Sequence, residues 1–124
     1  MWTKIELMGR RLLIVDDNAG FRALAGRLLE GAGYRVVGMA RDAQEALAAT
    51  HELSPEVVLL DVNLPDGSGF DVAALLARER SNIEVVLTST HDGQDYGQLA
   101  LGSGARGFLS KDDLSGAALD RLLA

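Results

Sequence analysis

The stretch RRLLIVDDNAGFR, residues 10–22, decides how this chain folds. Four apolar residues, Leu12 to Val15, run straight into two adjacent carboxylates, Asp16 and Asp17. An unbroken apolar run of that length suits a strand covered on both faces, because a half-exposed strand would alternate apolar with polar. Paired like charges at its end repel each other, so the end of this strand calls for a partner of opposite sign.

Working outward from that strand, short apolar runs alternate with longer amphipathic ones. Residues 21–30 read as a helix with Phe21, Leu24, Ala25 and Leu28 on one face, stopped by Gly31 and Gly33. Arg35–Ala40 is a second strand. Asp42 opens a second helix, with Glu45 completing a capping-box pattern and Ala43, Ala46, Leu47 and Thr50 facing inward. Ser54-Pro55 breaks the chain ahead of a third strand, Val57–Leu60. A helix from about Gly69 to Arg80, a strand Glu84–Ser89, a weaker helix over about 94–102, a strand Gly107–Ser110 and a last helix beginning near Leu114 complete five strand–helix units. Continuous apolar strands joined by helices predict an α/β fold: a five-stranded parallel sheet, doubly wound, with five flanking helices and its ligand site beyond the carboxyl ends of the strands.

The bulk properties narrow the function. The chain has 124 residues, 48% of them apolar, enough for one domain with its own core. Residues 1–10 read as an N-terminal extension and 11–124 as the domain. With no cysteine, disulfides and thiolate metal sites are excluded, and a cytoplasmic setting is the natural expectation. No signal-peptide core or membrane-length apolar run is present. A net charge of −6 argues against direct nucleic-acid binding by this domain.

The strand ends then collect the chemistry. Asp16 and Asp17 follow strand one, Asp61 follows strand three, Ser89 ends strand four, and Lys111 follows strand five. Two carboxylates about 5 Å apart repel by roughly 3 kcal/mol at an effective dielectric near 20. A divalent ion offsets that repulsion, and oxygen donors alone suit Mg²⁺ and not zinc. Lys111 adds a fixed cation and Ser89 a hydroxyl. The set describes a pocket for a phosphoryl group on a carboxylate, with Asp61 as nucleophile.

With those residues in place, the chain closely resembles the receiver domains of two-component response regulators. The resemblance is carried by LLIVDDN, VVLLDVNLPDGSGFD, VVLTS and GARGFLSK, and runs from about Arg11 to Leu123. It implies a flavodoxin-like (βα)5 fold with strand order 2-1-3-4-5. It implies phosphorylation of Asp61 by a sensor histidine kinase or phosphotransfer protein, and Mg²⁺ on Asp16, Asp17, Asp61 and the backbone carbonyl of Asn63. Ser89 is then the switch hydroxyl, with Thr88 standing in if the strand register differs. Lys111 pairs with the phosphoryl group, Phe108 is the aromatic that turns with the switch, and Asn63 and His91 tune dephosphorylation. The domain is not an enzyme in its own right, beyond self-phosphorylation from small phosphodonors and autodephosphorylation.

Two departures from the family pattern stand out. Asp112 follows Lys111 where proline is common, as in receivers joined to helix-turn-helix output domains and so to transcription regulation. Phe108 replaces the commoner tyrosine.

Four glycines, Gly93, Gly97, Gly102 and Gly104, weaken helix four and mark it, with strand five and helix five, as the output face toward a downstream protein or domain. Dimerisation through the last helices is a further expectation. Two other readings stay open here: an aspartyl-phosphate phosphatase, which would want Asp-x-Asp after its first strand, and a receiver-like interaction module that is never phosphorylated.

Overall fold

A computed structural model describes residues 3–80, 82–90 and 96–124. Five parallel strands form one sheet: β1 (Arg11–Val15), β2 (Arg35–Ala40), β3 (Val57–Asp61), β4 (Glu84–Ser89) and β5 (Gly107–Ser110), in the order β2-β1-β3-β4-β5. The helices are α1 (Ala19–Gly31), α2 (Ala43–Leu53), α3 (Gly69–Glu79), α4 (Tyr96–Gly102) and α5 (Gly116–Leu123). The doubly wound expectation holds.

Strand alternation divides the core into two layers. Leu12, Ile14, Val57, Leu59 and Val86 pack with Ala25 and Leu29 of α1 and Leu119 and Leu123 of α5. Leu13, Val15, Val58, Leu60 and Leu87 face the other way, onto Ala46 of α2, Val72 and Leu76 of α3 and Ala100 of α4. Both faces of β1 and β3 are therefore apolar, which is why their sequences do not alternate.

Several boundaries differ from the sequence reading for local reasons. Helix α1 starts at Ala19 because the Asn18 side chain accepts from the Phe21 N–H and caps it. Its inner face is Ala25 and Leu29, while Leu24 is 53% exposed. At α2 the Asp42 carboxylate accepts from Glu45 N, but Glu45 turns back to Arg41 N instead of closing the box on Asp42. The last helix begins at Gly116, capped by Ser115, after a 3-10 turn Lys111–Asp113 takes the chain out of β5. Residues 4–7 of the N-terminal extension form a helical turn capped by Thr3. No helix among the described residues is long and apolar enough to cross a membrane.

The loop after β3 is tied down twice. Asn63–Leu64 pairs antiparallel with Gly67–Ser68, and the Asp66 carboxylate accepts from the Ala43 and Gln44 amides at 2.7 and 3.0 Å, adding a second cap to α2. Gly69 then opens α3 so close to β3 that an added Cβ would lie 2.2 Å from the Asp61 carbonyl oxygen. Gly69→Ala is expected to cost about 3 kcal/mol by overpacking, measured as a lower urea midpoint; an unchanged midpoint would show that the loop gives way.

Candidate functional site

Parallel register brings the acidic residues together. Val15 is paired with Leu60, so Asp16 and Asp61, each the next residue on its strand, stand level on neighbouring strands. Asp16 is fully buried and Asp61 4% exposed, while Asp17 is exposed. One carboxylate oxygen from each of the three lies within 4.8 Å of the others.

Lys111 arrives from the far edge. Its Nζ is 2.5 Å from Asp16 Oδ2 and 3.3 Å from Asp61 Oδ2, and 4.6 Å from the centre of the Phe21 ring, a cation–π contact from α1. The other oxygen of each carboxylate is held by backbone. Asp16 Oδ1 accepts from Asn18 N at 2.9 Å, and Asp61 Oδ1 from Asn63 N at 3.0 Å. These are Asx turns, so the same two residues that carry the charge also bend the chain out of the sheet. Arg22 Nη1 donates to the Asp16 backbone carbonyl at 2.7 Å, tying α1 to the end of β1.

Burial is the largest influence on Asp61 and pushes its pKa up. The Asn63 N–H opposes this, the Asp16 charge adds to it, and Lys111 counters; the net direction is upward. For Lys111, burial works against the charge, but the Asp16 and Asp61 carboxylates outweigh it and hold the pKa above the usual lysine range. Among the described residues the ligand atoms at this edge are all oxygens, which suits a hard divalent cation with waters completing its shell.

The remaining expected residues fall as follows. Ser89 ends β4 and is buried beside Ser110. Asp61, however, is paired with Thr88, whose buried hydroxyl has no hydrogen-bond partner among the described residues. Asn63 is exposed in the loop after β3. Phe108 is partly buried, its ring 5.4 Å from that of Tyr96, which in turn lies 5.8 Å from Phe70. His91 lies outside the described residues. Sequence reasoning passed over the site roles of Phe21, Arg22, Tyr96 and Asp66. Phe21 was legible only as a core residue, and no sequence signal placed the other three.

The model of the response regulator receiver domain family matches residues 12–121. The chain is 33% identical over 104 residues to the chemotaxis protein CheY of Thermotoga maritima, covering 84% of this chain and 87% of that protein. It is 37% identical over 109 residues to the DNA-binding response regulator MtrA of Mycobacterium tuberculosis, covering 86% of this chain but 46% of MtrA. The chain thus spans about half the length of several curated relatives that it matches. Among solved structures, the signal receiver domain of the putative response regulator NarL from Mycobacterium tuberculosis superposes with a TM-score of 0.84 at 34% identity, covering 94% of this chain and 98% of that one.

The raised Asp61 pKa carries a stability consequence. A carboxylate that resists ionisation in the folded state favours folding only while protonated, so ionised Asp61 opposes folding at neutral pH. Asp61→Asn should therefore raise the denaturant midpoint at pH 7 in the absence of divalent ions. The gain should fade as pH falls through the raised native pKa toward the ordinary aspartate value. Denaturant midpoints of the two proteins across pH 3.5–8 (roughly the span from carboxylate to neutral titration) check this, and a gain that grew on acidification would contradict it.

Proposed function

Because the chain belongs to the response regulator receiver family, we propose that Asp61 is its phosphoacceptor and that phosphorylation there switches an output surface. The observation that carries this reading is the Lys111 ammonium held between Asp16 and Asp61 at 2.5 and 3.3 Å. One movable monovalent charge spans two buried carboxylates, at the sheet edge where such folds place ligands.

In the proposed transfer, an Asp61 carboxylate oxygen attacks the phosphorus of a phosphohistidine on a sensor kinase or phosphotransfer protein. The P–N bond breaks, the imidazole leaves with a proton, and an acyl phosphate forms. Asp16, Asp17, Asp61 and the Asn63 carbonyl would hold Mg²⁺, which neutralises phosphoryl charge when bound. The chain's own part is positional. The Asn63 N–H fixes one Asp61 oxygen, leaving the other, now facing Lys111, to react. Lys111 then follows the new negative charge and leaves Asp16. Water attack on the acyl phosphate resets the domain, with Asn63 and His91 at the positions that tune it. The proposed setting is the cytoplasm, where a sensor kinase presents its phosphohistidine.

Ser89 is the proposed switch hydroxyl. Leu87 and Phe108 are paired and face α4, and Ser89, two residues beyond Leu87, returns to that face. A hydroxyl drawn toward the phosphoryl group would vacate space beside Phe108, whose ring packs at a tilt against Tyr96. Helix α4 is short, with one buried residue, Ala100, and exposed Leu99 and Leu101. Those features favour the face built by α4, β5 and α5 as the output surface, toward a downstream protein or a linked DNA-binding domain. The adjacent Asp16-Asp17 pair supports this reading over a phosphatase, which needs an intervening residue.

Acetyl phosphate with Mg²⁺ should add one phosphoryl group by intact mass, and the gain should vanish in Asp61→Asn and with a chelator; no gain in the native protein would overturn the acceptor reading. Beryllofluoride with Mg²⁺ should alter amide exchange across 96–111 by about tenfold or more, corresponding to a local shift of about 1.4 kcal/mol, and unchanged exchange there would move the output surface elsewhere.

A further inference from the structure

Thr88 Oγ1 is buried and has no hydrogen-bond partner among the described residues, an arrangement that native cores avoid unless the group is needed in another state. Valine has nearly the same shape and would fill this place without that penalty.

Register shows what the hydroxyl stands beside. Leu59 and Val86 are paired and line the α1–α5 layer; Leu60 and Leu87, the next pair, face the opposite layer. Asp61 and Thr88 are the pair after that, so they return together to the α1–α5 side. Asp16 stands level with Asp61 on β1. Asp16, Asp61 and Thr88 are thus consecutive members of one row crossing the sheet, at spacings of about 4.8 Å.

Lys111 begins beyond the end of β5 and its ammonium reaches carboxylates on β3 and β1. To get there it crosses β4, and Thr88 is the side chain that β4 contributes to this face at the Asp61 level. The ammonium has three protons to place. Asp16 holds it as an ion pair at 2.5 Å, and Asp61 accepts one proton at a long 3.3 Å.

We propose that Thr88 is a positioning residue for Lys111: its hydroxyl accepts an ammonium proton once a phosphoryl group on Asp61 draws the lysine away from Asp16. The inference rests on the acceptor reading above and adds to it a second hydroxyl on β4. Ser89 works on the Phe108 side of the sheet; Thr88 works on the Asp16 side, and it is on the opposite flank of Asp61 from Asp16. Unpaired in the resting protein, the hydroxyl tilts the equilibrium toward the phosphorylated arrangement.

Thr88→Val and Thr88→Ser in the full chain test this, using beryllofluoride with Mg²⁺ as the probe. Thr88→Val should be at least as stable as the native protein in denaturant without the probe, yet bind the probe about tenfold more weakly, the weight of one hydrogen bond to a charged group. Thr88→Ser should restore the affinity. A purely structural hydroxyl would not move the two readouts in opposite directions. Native binding with unchanged affinity in Thr88→Val overturns the inference alone, as does a loss of probe-free stability that matches the loss of affinity. A native protein that neither binds beryllofluoride nor is labelled by acetyl phosphate overturns the acceptor reading and this inference with it.

Discussion

The contact on which the rest depends is the ammonium of Lys111 lodged between the carboxylates of Asp16 and Asp61. Two buried carboxylates on adjacent strands are tolerable in a low-dielectric setting only with a cation between them. Each carboxylate keeps its second oxygen on a backbone N–H, so neither can swing away to relieve the crowding. The charges are fixed and the cation is on a flexible stem. Under the proposed phosphorylation, added negative charge would be met by moving the lysine and leaving the frame in place.

The fold supplies that frame with few parts. Parallel pairing without a slip sets Asp16 level with Asp61, and Gly69 lets α3 start against the Asp61 carbonyl. Asp66 fastens the same loop to the start of α2. On the opposite layer, the Tyr34 hydroxyl donates to Asp120 at 2.5 Å, and Gly116 meets Ala32 where a Cβ would come within 2.2 Å, seating α5 against α1. The pocket is therefore clamped from both layers of helices.

Much of this was legible in the residues alone. The apolar runs of β1 and β3 announce strands buried on both faces, and β2, β4 and β5 have the limits that their apolar stretches and flanking glycines suggest. Charged and hydroxyl side chains at strand ends located the site, because strand ends share one edge in a parallel sheet. Side-chain direction was less accessible. Leu24 fits a helical stripe as well as Leu29 does, and only the packing angle of α1 decides that Leu29 is buried. Thr88 and Ser89 are adjacent hydroxyls of the same kind, and which one stands beside Asp61 is fixed by the ladder between β3 and β4, a tertiary fact. The roles of Arg22, Tyr96 and Asp66 are likewise contacts across the fold, without any local pattern to reveal them.

The row of rings formed by Phe70, Tyr96 and Phe108 bears on how such a domain would respond. Tyr96 touches both other rings, at 5.8 Å from Phe70 and 5.4 Å from Phe108, so a turn of Phe108 of the kind proposed above would be felt by all three. Under the proposed switch, the size and shape of three aromatic surfaces would therefore enter the response alongside the charge added at the far side of the sheet.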